Sequence, residues 1–529
     1  SGEVSNQPAL PKCSARQLAE LLHDGPPDEV QYPTAAQQEI IEGPLEPLLV
    51  VAGAGSGKTK TMADRVVWLV ANKLVAPEQI LGVTFTRKAA GELASRIRGR
   101  LRLLERKLGE DAADAQLEAA VSTYHSYANG IVNDYGLRIG VERDSVMLGG
   151  AQSWQLANEV VEAYTGDYEH FTAAKSTLVN AVLQMASECS EHLLTPARVR
   201  AEIQHHLDEV LALPYQAGKT KAAAKGVRDL VAKLQTRMSV TELVEAYQRA
   251  KAERRQLDFG DLVALAARIA KEIPEAGEME RAKYKVVLLD EFQDTSHAQM
   301  VLFSTLFGNG TPVTAVGDPH QSIYGFRGAS AGQLGTFREH FPRLLPEGGR
   351  TPAGVANLSV AWRNSTSILA AANAVSGPLN KPAPWPGART PLDVPELQAK
   401  PKPPVGDVYL GRYLSEKTVT LPDGTVSVGE AEALAAQIAN VRSQWFRHPS
   451  HETDGRGNAL PPTVAVLCRG KKQFDPIRRA LEDLGIPVQI VGLGGLLSTP
   501  EIVDLLAVLR VLSDPGRSDS MLRILAGAR

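Results

Sequence analysis

The chain has 529 residues, enough for three or four domains at roughly 150 residues each. Hydrophobic residues make up 43% and charged residues 22%, so the core needs no disulfide or metal staple. With 57 basic against 60 acidic side chains, the formal net charge of −3 excludes a globally basic nucleic-acid coat, though not a local basic groove. Cys13, Cys189 and Cys468 are far apart and form no CxxC pair, which argues against a disulfide framework, a zinc site or an iron–sulfur site. No run approaches about 18 consecutive apolar residues, so no membrane span is expected. Ser1–Pro11 is polar and lacks the apolar segment of a secretory signal, and a cytoplasmic location is expected.

Leu18, Leu21 and Leu22 share one face of a short lead-in helix that Asp24–Pro27 stops. A helix is predicted over Thr34–Ile41, then a strand at Leu48–Val51, short, aliphatic and buried on both faces as in a parallel sheet. Helix 58–73, strand Ile80–Phe85 and helix 87–108 repeat the pattern, and this alternation makes the fold class α/β. Residues 136–257 are rich in Ala, Leu, Glu, Lys and Gln at helical spacing and read as an all-helical insertion, with the charge run Lys251–Arg255 on a solvated face. Strands at Lys283–Leu289 and Thr311–Val316 resume the sheet. The proline-rich stretch 377–404 reads as a linker. A second α/β pattern follows, with strands at Val405–Tyr409, Thr463–Cys468 and Val488–Ile490 and helices at Val428–Trp445, Phe474–Leu484 and Thr499–Leu512. His448–Pro462 reads as a polar surface insertion.

Two motifs carry phosphate chemistry. Ala52-Gly-Ala-Gly-Ser-Gly-Lys-Thr59 follows a buried strand and opens a helix. Glycines there let backbone N–H groups curl round phosphate oxygens at a helix N-terminus. Ala54, Gly55, Ser56, Gly57, Lys58, Thr59 and Lys60 are the expected nucleotide-binding run, with Lys58 on the β- and γ-phosphates and Thr59 on Mg²⁺. The strict pattern has glycine where Ala52 stands. The second motif is the aliphatic run Val286–Leu289 ending in Asp290 and Glu291, with Asp290 expected in the Mg²⁺ shell and Glu291 polarising the attacking water. Together they say that the chain hydrolyses a nucleoside triphosphate, ATP by expectation.

The purpose of that hydrolysis is carried by a wider set in fixed order: Gln37, Thr84–Leu93, Thr123–Ser126, Leu257–Leu262, Asp290–Thr295, Gly317–Ala329 and Trp362-Arg363. This order resembles the superfamily 1A DNA helicases of the UvrD/PcrA/Rep group, from about residue 32 onward. The resemblance implies RecA-like phosphate-loop NTPase motor domains with parallel sheets, plus the all-helical insertion. It divides the chain into a first motor domain (1–135 and 258–350), the insertion (136–257) and the beginning of a second motor domain (351–529). It makes Gln37 the reader of adenine and Trp362 the aromatic packed on that ring. Gln321 becomes the contact to the γ-phosphate that couples it to DNA, and Arg363 the arginine finger. With Lys58 and Glu291, these two form the catalytic set. On the DNA side it implies Thr84, Phe85, Thr86, Arg87, His125, Tyr324, Phe326 and Arg327, aromatics beside basic groups that grip a single strand by stacking and phosphate pairing.

Within that group, Gly53–Val70 and Leu81–Arg98 are most similar to the B-subunit side of the AdnAB type, the actinobacterial end-resecting helicase–nucleases. This implies 3′-to-5′ movement on single-stranded and duplex-end DNA, a part in double-strand-break repair, and a heterodimer with a second, AdnA-like subunit. Two later motifs of the group, one with a second arginine finger, are not found before Arg529, and a truncated chain is expected. Nuclease activity is therefore implied for the complete complex only. Two other readings stand beside the motor. One is a nonmotor subunit that binds ATP and DNA, which the intact set Lys58, Thr59, Asp290, Glu291, Gln321 and Arg363 disfavours; the other is a small-molecule kinase, which would not need the aromatic–basic motifs.

Overall fold

The computed structural model describes residues 13–108, 118–142, 145–166, 171, 174–213, 225–325, 331–382, 391–404, 406–411, 429–447, 460, 462–491, 500–513 and 518–526. The chain divides into two compact units, residues 1–408 and 409–529.

The first unit is built on a six-stranded, wholly parallel sheet. Its strands are β1 (Leu48–Ala52), β2 (Ile80–Thr84), β3 (Ala120–Thr123), β4 (Val286–Leu289), β5 (Val313–Gly317) and β6 (Gly354–Leu358), in the spatial order β6-β1-β5-β4-β2-β3. β1, β2, β4 and β5 are aliphatic runs because helices cover both faces of the sheet. Alternation along β1 sends Leu49 and Val51 into one core, with Phe303, Phe307 and the helix Phe259–Glu272. Val50 and Ala52 enter the opposite core, with Val66, Val67 and Trp68 of the helix Lys58–Ala71. β3 and β6 were not anticipated: four partly polar residues in one and Gly354, Asn357 in the other mask the aliphatic signal. β6 also lies past the expected boundary at 350, yet it pairs with β1 from Leu48↔Gly354 to Ala52↔Leu358 and so extends the first sheet.

The insertion has its own core, in which Leu156, Val179, Val182, Leu243 and Tyr247 meet from the helices Gly150–Glu162, Lys175–Glu191 and Lys225–Glu253. It is not wholly helical, since Val146–Met147 pairs in parallel with Gln256–Leu257 and ties its two ends together. The expected solvated face at Lys251–Arg255 is corrected at Lys251. That ammonium is buried and donates to Asp258 Oδ2 and Asp261 Oδ2, both at 2.6 Å, fastening the last insertion helix to the start of the helix Phe259–Glu272. In the proline-rich stretch, Gln398–Ala399 pairs with Val360–Ala361, and Val394 joins the core, so this segment is partly built into the first unit.

The second unit holds the helices Glu430–Arg447 and Phe474–Asp483, which share a small core of Ala435, Ala480 and Leu481, and the helices Pro500–Ser513 and Ser518–Ala526, which pack on each other. Three of these helices fall where the sequence predicts them, and Ser518–Ala526 was not anticipated. The strands expected at Thr463–Cys468 and Val488–Ile490 pair with no other strand among the described residues, and neither do the described residues of Val405–Tyr409. No described helix is long and apolar enough to cross a membrane.

Candidate nucleotide and DNA site

In a parallel sheet the functional edge is where the strands end at their carboxyl termini, and here spatial order decides which loops meet. Read across the sheet, the strand ends lead to Trp362-Arg363 after β6, the glycine loop after β1, Asp318–Gln321 after β5, Asp290-Glu291 after β4, Phe85 after β2 and Tyr124-His125 after β3. Motifs scattered over some three hundred residues thus form one row.

The glycine loop has the shape its residues permit. Gly55 (φ +74°) and Gly57 (φ +82°) are left-handed, a region that L side chains rarely adopt. A Cβ on Gly55 would stand 3.2 Å from Arg363 Cβ, and one on Gly57 would stand 3.2 Å from Gln37 Nε2. The loop is therefore flanked by both predicted partners. Trp362 joins them, its backbone N–H donating to Gly55 O at 2.9 Å. The helix Lys58–Ala71 starts with no side-chain cap and no acid in its first turn, leaving its N–H groups directed at the loop. Ser56 Oγ is buried with no hydrogen-bond partner among the described residues, which suits a phosphate oxygen as acceptor.

Lys58 Nζ donates to Glu291 Oε2 at 2.6 Å. Glu291 sits at φ +50°, strained for a non-glycine residue at the end of β4. Asp290 is buried, and its carboxyl is raised to about 6, by burial first and by Glu291 second, with Lys58 opposing. Its Oδ1 accepts the Glu291 N–H at 3.0 Å. Thr59 and Asp290 offer the hard oxygen donors that Mg²⁺ takes beside phosphate oxygens and water. Among the described residues no cluster of three acidic, His or Cys side chains could hold a metal alone, and a nucleotide-bound Mg²⁺ needs none.

Gln321 is clasped by Asp318, its Nε2 donating to Oδ2 at 2.6 Å. Gln37 is buried and forms a capping box with Thr34, whose N–H donates to Gln37 Oε1 at 3.0 Å. Its carboxamide NH₂ is the part turned to the loop. The helix Ala35–Glu42 that carries it is held by Arg65, a fully buried guanidinium that donates to the carbonyls of Ile40, Ile41, Gly43 and Pro44. Burial alone lowers Arg65 to about 10. Neither Arg65 nor its role was visible in the sequence, since its partners are backbone groups. Lys60 departs from expectation. Its ammonium pairs with Asp64 one turn further along its helix at 2.9 Å, and Asp64 also pairs with Arg100.

Among the residues expected to meet DNA, Phe85 stacks on Tyr324 with ring centroids 5.1 Å apart and planes at 27°. Thr84 is buried in β2, its hydroxyl without a partner among the described residues, and so belongs to the sheet rather than to an open groove. Thr86 Oγ1 accepts the Ala89 N–H, starting the helix Arg87–Leu108, and Arg87 is exposed beside it. His125 meets Phe259 edge-on at 5.9 Å. Tyr124 is a core residue whose hydroxyl donates to Asp290 O at 3.2 Å, bracing the acidic strand end. Phe326 and Arg327 lie outside the described residues. Sequence reasoning missed Gln293, which touches Glu291 and the Asp318 loop together.

Comparison with known proteins agrees with this geometry. Residues 34–342 match the UvrD/REP helicase N-terminal domain, and residues 422–529 match the UvrD-like helicase C-terminal domain. The chain is 28% identical over 488 residues to the ATP-dependent DNA helicase PcrA of Bacillus subtilis, covering 92% of this chain and 54% of that protein. It is 26% identical over 507 residues to the ATP-dependent DNA helicase UvrD1 of Mycobacterium leprae, covering 93% and 54%. It therefore spans about half the length of the curated relatives it matches. The phosphate loop, the acidic strand end and these matches place the chain in the UvrD/REP helicase family.

Proposed function

We propose that this chain is the motor region of an ATP-dependent DNA helicase that moves 3′ to 5′ on a single strand. The proposal extends to its setting: cytoplasmic, in repair of double-strand breaks by end resection, as the B-type subunit of an AdnAB-like helicase–nuclease with an AdnA-like partner. One observation carries the motor reading. The sheet order β6-β1-β5-β4-β2-β3 sets nucleotide chemistry and aromatic stacking side by side on one edge, with Glu291 and the Asp318–Gln321 turn between them. The names of the relatives support it, and the likeness of Gly53–Val70 and Leu81–Arg98 to the AdnAB type supports the finer setting.

The residues act as follows. Gln37 and Trp362 take the base, and the glycine loop takes the phosphates. Lys58 exchanges Glu291 for the β- and γ-phosphate oxygens. Glu291, held by Gln293, then has a lone pair for the attacking water. Mg²⁺, when held by Thr59 and Asp290, neutralises charge on the phosphates. Arg363, exposed beside Gly55, supplies a fixed cation to the transferring group, and Gln321 senses it from β5. Phe85 and Tyr324 stack bases without regard to sequence.

Strand displacement on duplexes carrying a 3′ or a 5′ single-stranded tail tests the reading. Displacement of 3′-tailed duplexes that requires ATP and Mg²⁺ is the expected result. Displacement confined to 5′-tailed duplexes contradicts the polarity.

A further inference from the structure

Gln293 is 1% exposed and lies between the two loops that the proposed mechanism must connect. Its Nε2 donates to Glu291 Oε2 at 2.8 Å and to Asp294 Oδ2 at 3.3 Å. Its Oε1 accepts the Asp318 N–H at 3.1 Å, and its backbone carbonyl accepts the Ser322 hydroxyl at 3.1 Å. One residue thus binds the carboxylate beside Lys58 and both ends of the segment 318–322. Two residues beyond Ser322, Tyr324 stacks on Phe85. The fit leaves no slack: a Cβ on Gly317 would stand 2.7 Å from Gln293 Oε1 and 3.1 Å from Gln293 N. Glycine at 317 is what lets the carboxamide seat against β5. The Asp294 carboxyl is raised by burial and by Glu291, while the amides of Ile323 and Tyr324 oppose the rise, so the two loops also meet through Asp294.

We propose that Gln293 is the positioning residue that couples DNA to hydrolysis, its carboxamide setting the orientation of Glu291 according to the position of the Tyr324 loop. The proposal rests on the motor reading above and adds a physical link to it. A base stacked at Phe85 and Tyr324 shifts the loop, the loop carries Ser322 and Asp318, and these draw on Gln293. Because the same NH₂ group binds Glu291, the shift reaches the group that orients water. A close-packed link of this kind has few alternative arrangements, so it transmits a displacement rather than absorbing it.

The test is steady-state Mg²⁺-ATP hydrolysis by the full chain with and without a single-stranded oligonucleotide, for the native protein and for Gln293→Leu, which keeps the bulk and loses the polar contacts. The readout is the ratio of kcat with DNA to kcat without it. Affinity for a labelled oligonucleotide and the melting temperature are followed in parallel. The inference expects the ratio to fall toward one, by at least about fivefold, with oligonucleotide affinity retained. A merely structural role would lower both rates together and keep the ratio, and that result overturns the inference. Ser322→Ala cuts one of the two bonds from the segment 318–322 to Gln293 and leaves the carboxamide in place, and it carries the test if Gln293→Leu does not fold. The expectation is reduced stimulation at unchanged basal hydrolysis, and full stimulation in that variant overturns the inference. A native chain that hydrolyses ATP without any response to DNA overturns the motor reading itself.

Discussion

The strand Val286–Leu289 and the run Thr463–Cys468 carry similar aliphatic side chains, yet Leu288 is 1% exposed and Leu467 is 95% exposed. The first has a parallel neighbour on each side, β2 and β5, and helices over both faces. The second has no paired neighbour among the described residues. A strand is not a local property of its residues, because its backbone groups are satisfied only by other strands. The same difference separates a site from a loop. Asp290 and Glu291 are aimed because the strand before them is clamped on both edges, with Tyr124 bonding the Asp290 carbonyl. Arg469, which follows the other run, has no such paired strand before it among the described residues.

The comparison can be broken at several points. The largest effect is expected at the clamped edge: Lys58→Ala removes the cation at the phosphates and should lower kcat by about 10²–10³-fold, the scale for losing one preorganised electrostatic group. Stability should split the two runs. Leu288→Ala is expected to destabilise the first unit by about 2–5 kcal/mol, whereas Leu467→Ala should change stability by less than about 0.5 kcal/mol, both read by urea denaturation. Equal costs would dissolve the contrast.

Arg65→Met asks how far the clamping reaches. It leaves four carbonyls at the end of the helix Ala35–Glu42 without their donor, at a cost of about 1–3 kcal/mol for each group that water does not reclaim. Because that helix carries Gln37, the KM for ATP should rise more than kcat falls. The smallest effect is a pH dependence. Lys60 is lowered to about 8, by burial first, then by Arg100 and Arg96. A lysine whose folded value lies below its unfolded one is disfavoured in its charged form. That cost is present below about pH 8 and fades as pH rises toward the ordinary lysine value. Lys60→Gln should therefore melt above the native protein near neutral pH, with the gap closing by about pH 10. A gap that widens would refute the assignment.

Much of this was legible in the sequence, and the limits follow one rule. Local signals are legible: the glycine loop before the helix Lys58–Ala71, the aliphatic strands ending in Thr84 and Leu289, and three of the four described helices of the second unit. Contacts distant in sequence are not. Gln293 meets Asp318 only because β4 and β5 are neighbours, and Arg65 meets carbonyls more than twenty residues upstream. The pairing of Lys60 with Asp64, one helical turn away, is likewise not read from the glycine motif. Lys251 looked solvated, although two aspartates at the neck of the insertion bury it. Short strands with polar residues, β3 and β6, are recruited by a neighbour already in place, and their own side chains do not announce them.

The central claim is that one sheet edge joins ATP hydrolysis to DNA. It is tested most directly by Mg²⁺-dependent ATP hydrolysis of this chain, with and without single-stranded DNA, beside Glu291→Gln. The account predicts hydrolysis that DNA accelerates, and a loss of about 10²–10⁴-fold in the variant, which should still bind nucleotide through the glycine loop. Undiminished hydrolysis in Glu291→Gln, or a native rate indifferent to DNA, would contradict it.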